Sequence, residues 1–143
     1  MKSILTGLLV IGICIFIFIF CFMYKNRIKD QSNENPLLNQ VKQNFIKLSP
    51  SYADIPLIEG DSSYTENKNF ISLCLKNPET KQNYDINTIM YVALHELSHV
   101  LTFSHGHGQE FKDKFTSLLQ QSTKLGIYNP NIPMPQTYCG VKG

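Results

Sequence analysis

The sequence predicts an α+β chain: an N-terminal transmembrane helix, then a small domain of one helix, a small sheet, two further helices and an extended tail. Three observations carry that reading. Residues 3 to 24 hold no charge and are dominated by Ile, Phe, Leu, Val and Cys. From about residue 37 onward, stretches of helical and of strand periodicity alternate, separated by turn residues. Within one of the helical stretches lies His95-Glu96-Leu97-Ser98-His99, with no Pro or Gly between residues 85 and 105.

Taken in order, residues 1–24 are expected to be a retained anchor. At about 1.5 Å per residue the uncharged run spans about 30 Å, the thickness of a bilayer's hydrocarbon core. A cleavable leader would have a shorter apolar core and a small-residue cleavage site, and Cys21-Phe22-Met23-Tyr24-Lys25 supplies none. Lys25, Arg27 and Lys29 follow the span, against Lys2 before it, so the positive-inside bias places the C-terminal domain in the cytosol. Residues 25–36 are polar and read as a tether. Residues 37–143 then form one domain with one core.

In that domain Leu37, Leu38, Val41, Phe45 and Leu48 have helical spacing, and Pro50 closes the helix. Strands are expected around Ile55 to Ile58 and Phe70 to Leu75, with Gly60-Asp61-Ser62-Ser63 and Lys76-Asn77-Pro78-Glu79 as turns. Residues 70 to 75 are the candidate edge strand, open to addition of an extended peptide; an interior strand is the alternative. Asp85 or Asn87 is suited to cap the next helix, whose buried stripe is Met90, Ala93, Leu94, Leu97, Val100 and Leu101. Gly106 and Gly108 break it. A further helix from about Gln109 to Lys124 presents Phe111, Phe115, Leu118 and Leu119 and stops at Gly126. The Pro-rich tail carries Ile127, Tyr128, Ile132, Met134 and Tyr138, and is expected to pack over the domain. Cys74 and Cys139 should stay reduced in a cytosolic domain. In an oxidising compartment the same pair would tie the tail to the sheet, and as a thiolate Cys139 could instead cap a metal. Cys14 and Cys21, within the anchor, are packing residues or acylation sites.

The chemistry sits in the histidines, all four of which fall between residues 95 and 107. Two histidines four apart on a helix lie about 40° apart around the axis and about 6 Å apart along it, so both imidazoles reach one metal. Glu96, about 100° around from His95, can contact water at that metal without being a ligand. A catalytic zinc site needs a third protein ligand and an open position. His105, His107 and Glu110 all have the reach, and spacing does not choose among them.

HELSH followed by HGQEF resembles the SprT-like and WLM metallopeptidases, whose pattern is HExxH, a short connection and a third histidine in an HGxEF-like segment. The resemblance implies a minimal zincin-like fold with Zn2+ held by His95, His99 and His107. It implies Glu96 as general base and a protein or peptide as substrate. A wider run, from about Tyr64 to Cys139, is similar to small metallopeptidase-like proteins of large DNA viruses, which would make the anchored domain cytosolic or virion-interior. Some SprT-like and WLM enzymes act on proteins crosslinked to DNA. Residues 30 to 143, however, hold nine Lys/Arg against eleven Asp/Glu, a net of −2, and no basic cluster. The electrostatic footprint of nucleic-acid binding is absent. A non-catalytic zinc-binding interaction protein is the rival reading; a base between the ligands argues against it. His105, Tyr128 and Tyr138 are candidates to stabilise an oxyanion.

Overall fold

A computed structural model describes residues 2–25 and 28–142 of the chain. Its N-terminal helix, α1 (Lys2–Lys25), leaves the apolar side chains from Leu9 to Met23 exposed. The anchor expected over residues 1–24 is corrected here: among the described residues, no helix is long and apolar enough to cross a membrane. The single-pass location and cytosolic orientation fall with it. Of the charges read for orientation, Arg27 lies outside the described residues, as do the side chains of Lys2 and Lys25. Cys14 and Cys21 are exposed free thiols.

The α+β architecture of the rest follows from local sequence. Helix α2 (Pro36–Leu48) starts with Pro at its first position and Asn35 as cap, whose side-chain oxygen accepts from the Leu37 N–H at 2.9 Å. Its Leu38, Val41 and Phe45 are fully buried. A 3-10 turn over Pro50–Asp54 leads into β1 (Leu57–Glu59). The strand β3 (Phe70–Leu73) pairs with β1 in parallel and with β2 (Tyr64–Glu66) in antiparallel, giving the order β1-β3-β2. All four residues of β3 are buried. The edge position expected for residues 70 to 75 is therefore corrected: β3 is the central strand, and β2 is an edge. Alternation of side chains pointed to a strand at 70 to 75, but strand order depends on pairing with residues that local pattern does not identify.

Helix α3 (Ile86–Leu101) packs across β3 and β2. Asp85 caps it, accepting from the Thr88 N–H at 3.0 Å and the Thr88 hydroxyl at 2.6 Å. Ile89, Met90, Ala93, Leu94 and Leu97 bury its inner face against α2, the sheet and α4 (Gln109–Lys124). After α4, Gly126 takes the left-handed conformation (φ 67°) that ends the helix. The tail then runs to a two-stranded hairpin, β4 (Thr137–Tyr138) and β5 (Val141–Lys142).

Two long-range ties complete the domain. Cys139 is joined to Cys74, 65 residues away, with Cα atoms 6.4 Å apart. This replaces the reduced pair expected, and it removes the thiolate that Cys139 would need to cap a metal. The hairpin returns the tail to the end of β3, which brings the two sulfurs together. The second tie is a buried ammonium. Lys42 meets Asp30 Oδ2 at 2.7 Å and donates to the carbonyls of Ala53 (3.1 Å) and Ile55. Asp30 also accepts from the N–H groups of Ser32 and Leu57.

Two outcomes are expected. Closing a 65-residue loop restricts the unfolded chain by about 4 kcal/mol. The double substitution Cys74→Ser, Cys139→Ser should lower urea-derived stability by about 2–5 kcal/mol, and identical midpoints with and without reductant would rule out the tie. Burial raises the Asp30 carboxyl, but hydrogen bonds from Lys42 and Ser32 outweigh it and hold the group below its ordinary value. A carboxyl lowered in the folded state stabilises above pH of about 4 and loses that contribution as pH falls through the folded value. Asp30→Asn should therefore be less stable than wild type at neutral pH and show a flatter loss of stability below about pH 4. Parallel acid limbs would contradict this.

Candidate metal centre

His95 and His99 project from the last two turns of α3 toward the loop that connects it to α4. The helix is rigid there because the residues between and around them, Leu94, Leu97 and Ser98, are fully buried. The third histidine arrives on the loop. His107 Nε2 lies 3.1 Å from His95 Nε2 and 3.2 Å from His99 Nε2. Beneath all three rings sits Phe111, in the first turn of α4 and 3% exposed. Its centroid is 4.8 Å from His95, 4.4 Å from His99 and 4.7 Å from His107. An apolar floor of this kind orients the imidazoles and keeps water to one side of them.

The cluster fits a divalent metal. Nitrogen ligands at about 2.0–2.1 Å around a tetrahedral ion lie about 3.3–3.4 Å apart, close to the separations found here. Ligating imidazoles must be neutral. Burial, then the adjacent His99 and His107, push His95 down to about 4. Burial, His107 and Lys68 lower His99. His105 and Glu110, the other ligands spacing allowed, are outside the cluster.

Glu110 has a different task. Its carboxylate accepts from the Phe103 N–H at 2.8 Å, the Ser104 N–H at 3.0 Å and the Ser104 hydroxyl at 2.5 Å. Those bonds pull it down to about 2, the Ser104 hydroxyl contributing most. The start of α4 is thereby clamped to the chain leaving α3, and the loop bearing His107 is closed over the cluster. His107-Gly108-Gln109-Glu110-Phe111 thus supplies a ligand candidate, a clamp and a floor within five residues.

Glu96, on the same helix, is 7% exposed. Burial raises its carboxyl, and a hydrogen bond from Thr65 counters this. Thr65 Oγ1 lies 2.9 Å from Glu96 Oε2 and 3.0 Å from the Glu96 carbonyl oxygen. A cleft of about 370 Å³ opens beside Glu96 and His99, walled by β2 (Tyr64, Thr65), the turn after it (Asn67, Lys68) and the loop residue His105. Neither tyrosine considered from sequence faces it. The Tyr138 hydroxyl donates to the Cys74 carbonyl (2.5 Å) and contacts Ser63 Oγ (3.0 Å), and its burial pushes it up to about 12. Tyr128 packs on Tyr91. Sequence reasoning missed Thr65, 31 residues from Glu96, because a lone threonine in a short strand carries no signal.

No family model matches the chain. It is similar to three viral proteins, each described as uncharacterized. Protein 042R of Invertebrate iridescent virus 3 is 38% identical over 90 residues, covering 63% of this chain and 57% of that protein. Protein 136R of Invertebrate iridescent virus 6 is 40% identical over 89 residues, covering 61% and 50%. Protein R325 of Acanthamoeba polyphaga mimivirus is 33% identical over 120 residues, covering 82% and 60%. The chain thus spans between half and three fifths of the length of the curated relatives it matches. Among solved structures the fold is similar to that of Wss1 from Saccharomyces cerevisiae, with TM-score 0.51 and 22% identity, covering 66% of this chain and 84% of that one. That likeness shows a Wss1-like fold.

Removing an outer group that orients ligands typically costs 10–100-fold in metal affinity. Glu110→Ala should weaken zinc binding by about that factor in chelator competition, while His105→Ala stays within about threefold of wild type. Wild-type affinity in Glu110→Ala would show that the clamp does not position His107.

Proposed function

We propose that this chain is a zinc-dependent metallopeptidase that hydrolyses peptide bonds. The observation that carries the reading is the convergence of three imidazole nitrogens beside a buried carboxylate at the wall of a cleft. His95, His99 and His107 would hold the metal. Only these three His, Cys, Asp or Glu side chains gather there among the described residues, which suits a site with a position left for water rather than a closed structural one.

Zinc in such a site polarises a carbonyl and makes water acidic enough to be a nucleophile near neutral pH. The protein's own part is proton transfer and positioning. Glu96 takes the proton from the attacking water and passes it to the departing amine, for which it must keep one oxygen free. Oε2 accepts from Thr65, and Oε1 has no protein partner among the described residues. The Phe111 floor holds the imidazoles from behind, so the reacting groups meet on the cleft side.

The substrate class follows from β2. It is an edge strand, Tyr64 and Glu66 on it are exposed, and it borders the cleft. An extended peptide can add to such an edge by main-chain hydrogen bonds, laying its backbone along the cleft. This gives to β2 the role first expected of residues 70 to 75.

The full chain should bind about one zinc, and Glu96→Gln should keep that zinc while losing peptide cleavage by about 10²–10⁴-fold. Zinc binding without any cleavage dependent on Glu96 would instead support a non-catalytic zinc-binding interaction protein.

A further inference from the structure

Thr65 lies in the middle of β2, opposite Ile71 of β3. Its neighbours Tyr64 and Glu66 are exposed, whereas Thr65 is half-buried and its hydroxyl reaches α3. A β-branched side chain has few rotamers, so the hydroxyl goes where the strand puts it.

The strand is fixed at both ends. Before it, Ser63 Oγ accepts from the Cys74 N–H at 2.9 Å and meets the Tyr138 hydroxyl at 3.0 Å. Tyr138 in turn donates to the Cys74 carbonyl at 2.5 Å, beside the disulfide. After it, Asn67 (φ 47°) and Lys68 (φ 58°) turn the chain in the left-handed region, which costs most L-residues about 1–2 kcal/mol each. Lys68 then donates to the carbonyl of Thr102, just past the end of α3. One end of β2 is thus tied to the central strand and tail, the other to the metal helix. The distance between Thr65 and Glu96 is set by both.

We propose that Thr65 is the positioning residue of Glu96, fixing where its carboxyl group stands; the proposal rests on the peptidase reading for its kinetic consequence only. The hydroxyl has one proton and two acceptors on the same residue, Oε2 at 2.9 Å and the main-chain oxygen at 3.0 Å. With the hydroxyl donating to Oε2, Oε1 is left for water, and the strand holds the carboxyl at one place beside the cleft. Placement of this kind matters because a displacement of about 1 Å at a reacting group can cost about 100-fold in rate.

The test compares Thr65→Val, which keeps the branched shape and loses the hydroxyl, with Thr65→Ser, which keeps the hydroxyl. Measurements use the full chain: zinc content, thermal unfolding, kcat and KM on a peptide substrate, and the 13C carboxyl resonance of labelled Glu96. We expect equal zinc in all three proteins, and kcat lowered about tenfold or more in Thr65→Val with KM within about twofold. Thr65→Ser should restore kcat to within about threefold, and the Glu96 resonance should move in Thr65→Val and return in Thr65→Ser. A raised KM with unchanged kcat, or equal losses in both variants, would overturn the proposal. If wild type cleaves nothing, the peptidase reading fails separately. The resonance then decides alone: a shift reversed by serine supports the positioning contact, and no shift overturns it.

Discussion

A His107 nitrogen at 3.1 and 3.2 Å from those of His95 and His99, with all three within 4.8 Å of one another, is an arrangement that isolated side chains would not hold. Protonated rings would repel, and neutral ones have too few donors to satisfy every pair. Much of the domain's second half is built to impose it. Burial of Leu94, Leu97 and Ser98 fixes the register of α3, so His95 and His99 share a face. Glu110 clamps the chain reversal between the two long helices, so His107 has one place to be. Phe111 fills the space behind all three rings. A pre-arranged set of nitrogens would cost little further ordering on taking up a metal, so the residues that fold the site would also serve binding.

The sheet is small, yet its order has consequences. With β3 in the centre, β2 is left as an edge alongside α3, and it delivers Thr65 to Glu96 while walling the cleft. Three residues of strand cannot hold such a position by ladder hydrogen bonds alone. The tail does that work instead: Tyr138 and the Cys74–Cys139 disulfide secure the residue that precedes the strand. The tail packs against the domain as its hydrophobic residues suggested, through a covalent link that an assumed reducing compartment had set aside.

That assumption and the membrane anchor were connected. Reading residues 1–24 as a spanning helix placed the domain in the cytosol, and the cytosol kept the cysteines reduced. The described part of α1 does not support the span, and the cysteines are paired. Composition indicates what a segment is made of; which cysteines meet depends on how a hairpin 65 residues away returns to the sheet.

Much was legible in the sequence because it depends on local spacing. The α+β class, α2, α3 and α4 and the His95-Glu96-His99 face all follow from a 3.6-residue period, caps and breakers, which act over one or two turns. The motif resemblance singled out His107 from His105 and Glu110, and the geometry brings His107 to the other two. What only the tertiary structure decided joins residues far apart in the chain: β2 rather than β3 at the edge, Thr65 on Glu96, Lys42 on Asp30, and Cys74 with Cys139. Glu110 belongs with them, since its carboxylate is a clamp rather than a ligand because of which N–H groups the loop turns toward it. Side-chain period sets a residue's face, but its partner beyond a turn or two of chain is chosen by packing of the whole core, and no short-range pattern encodes that choice.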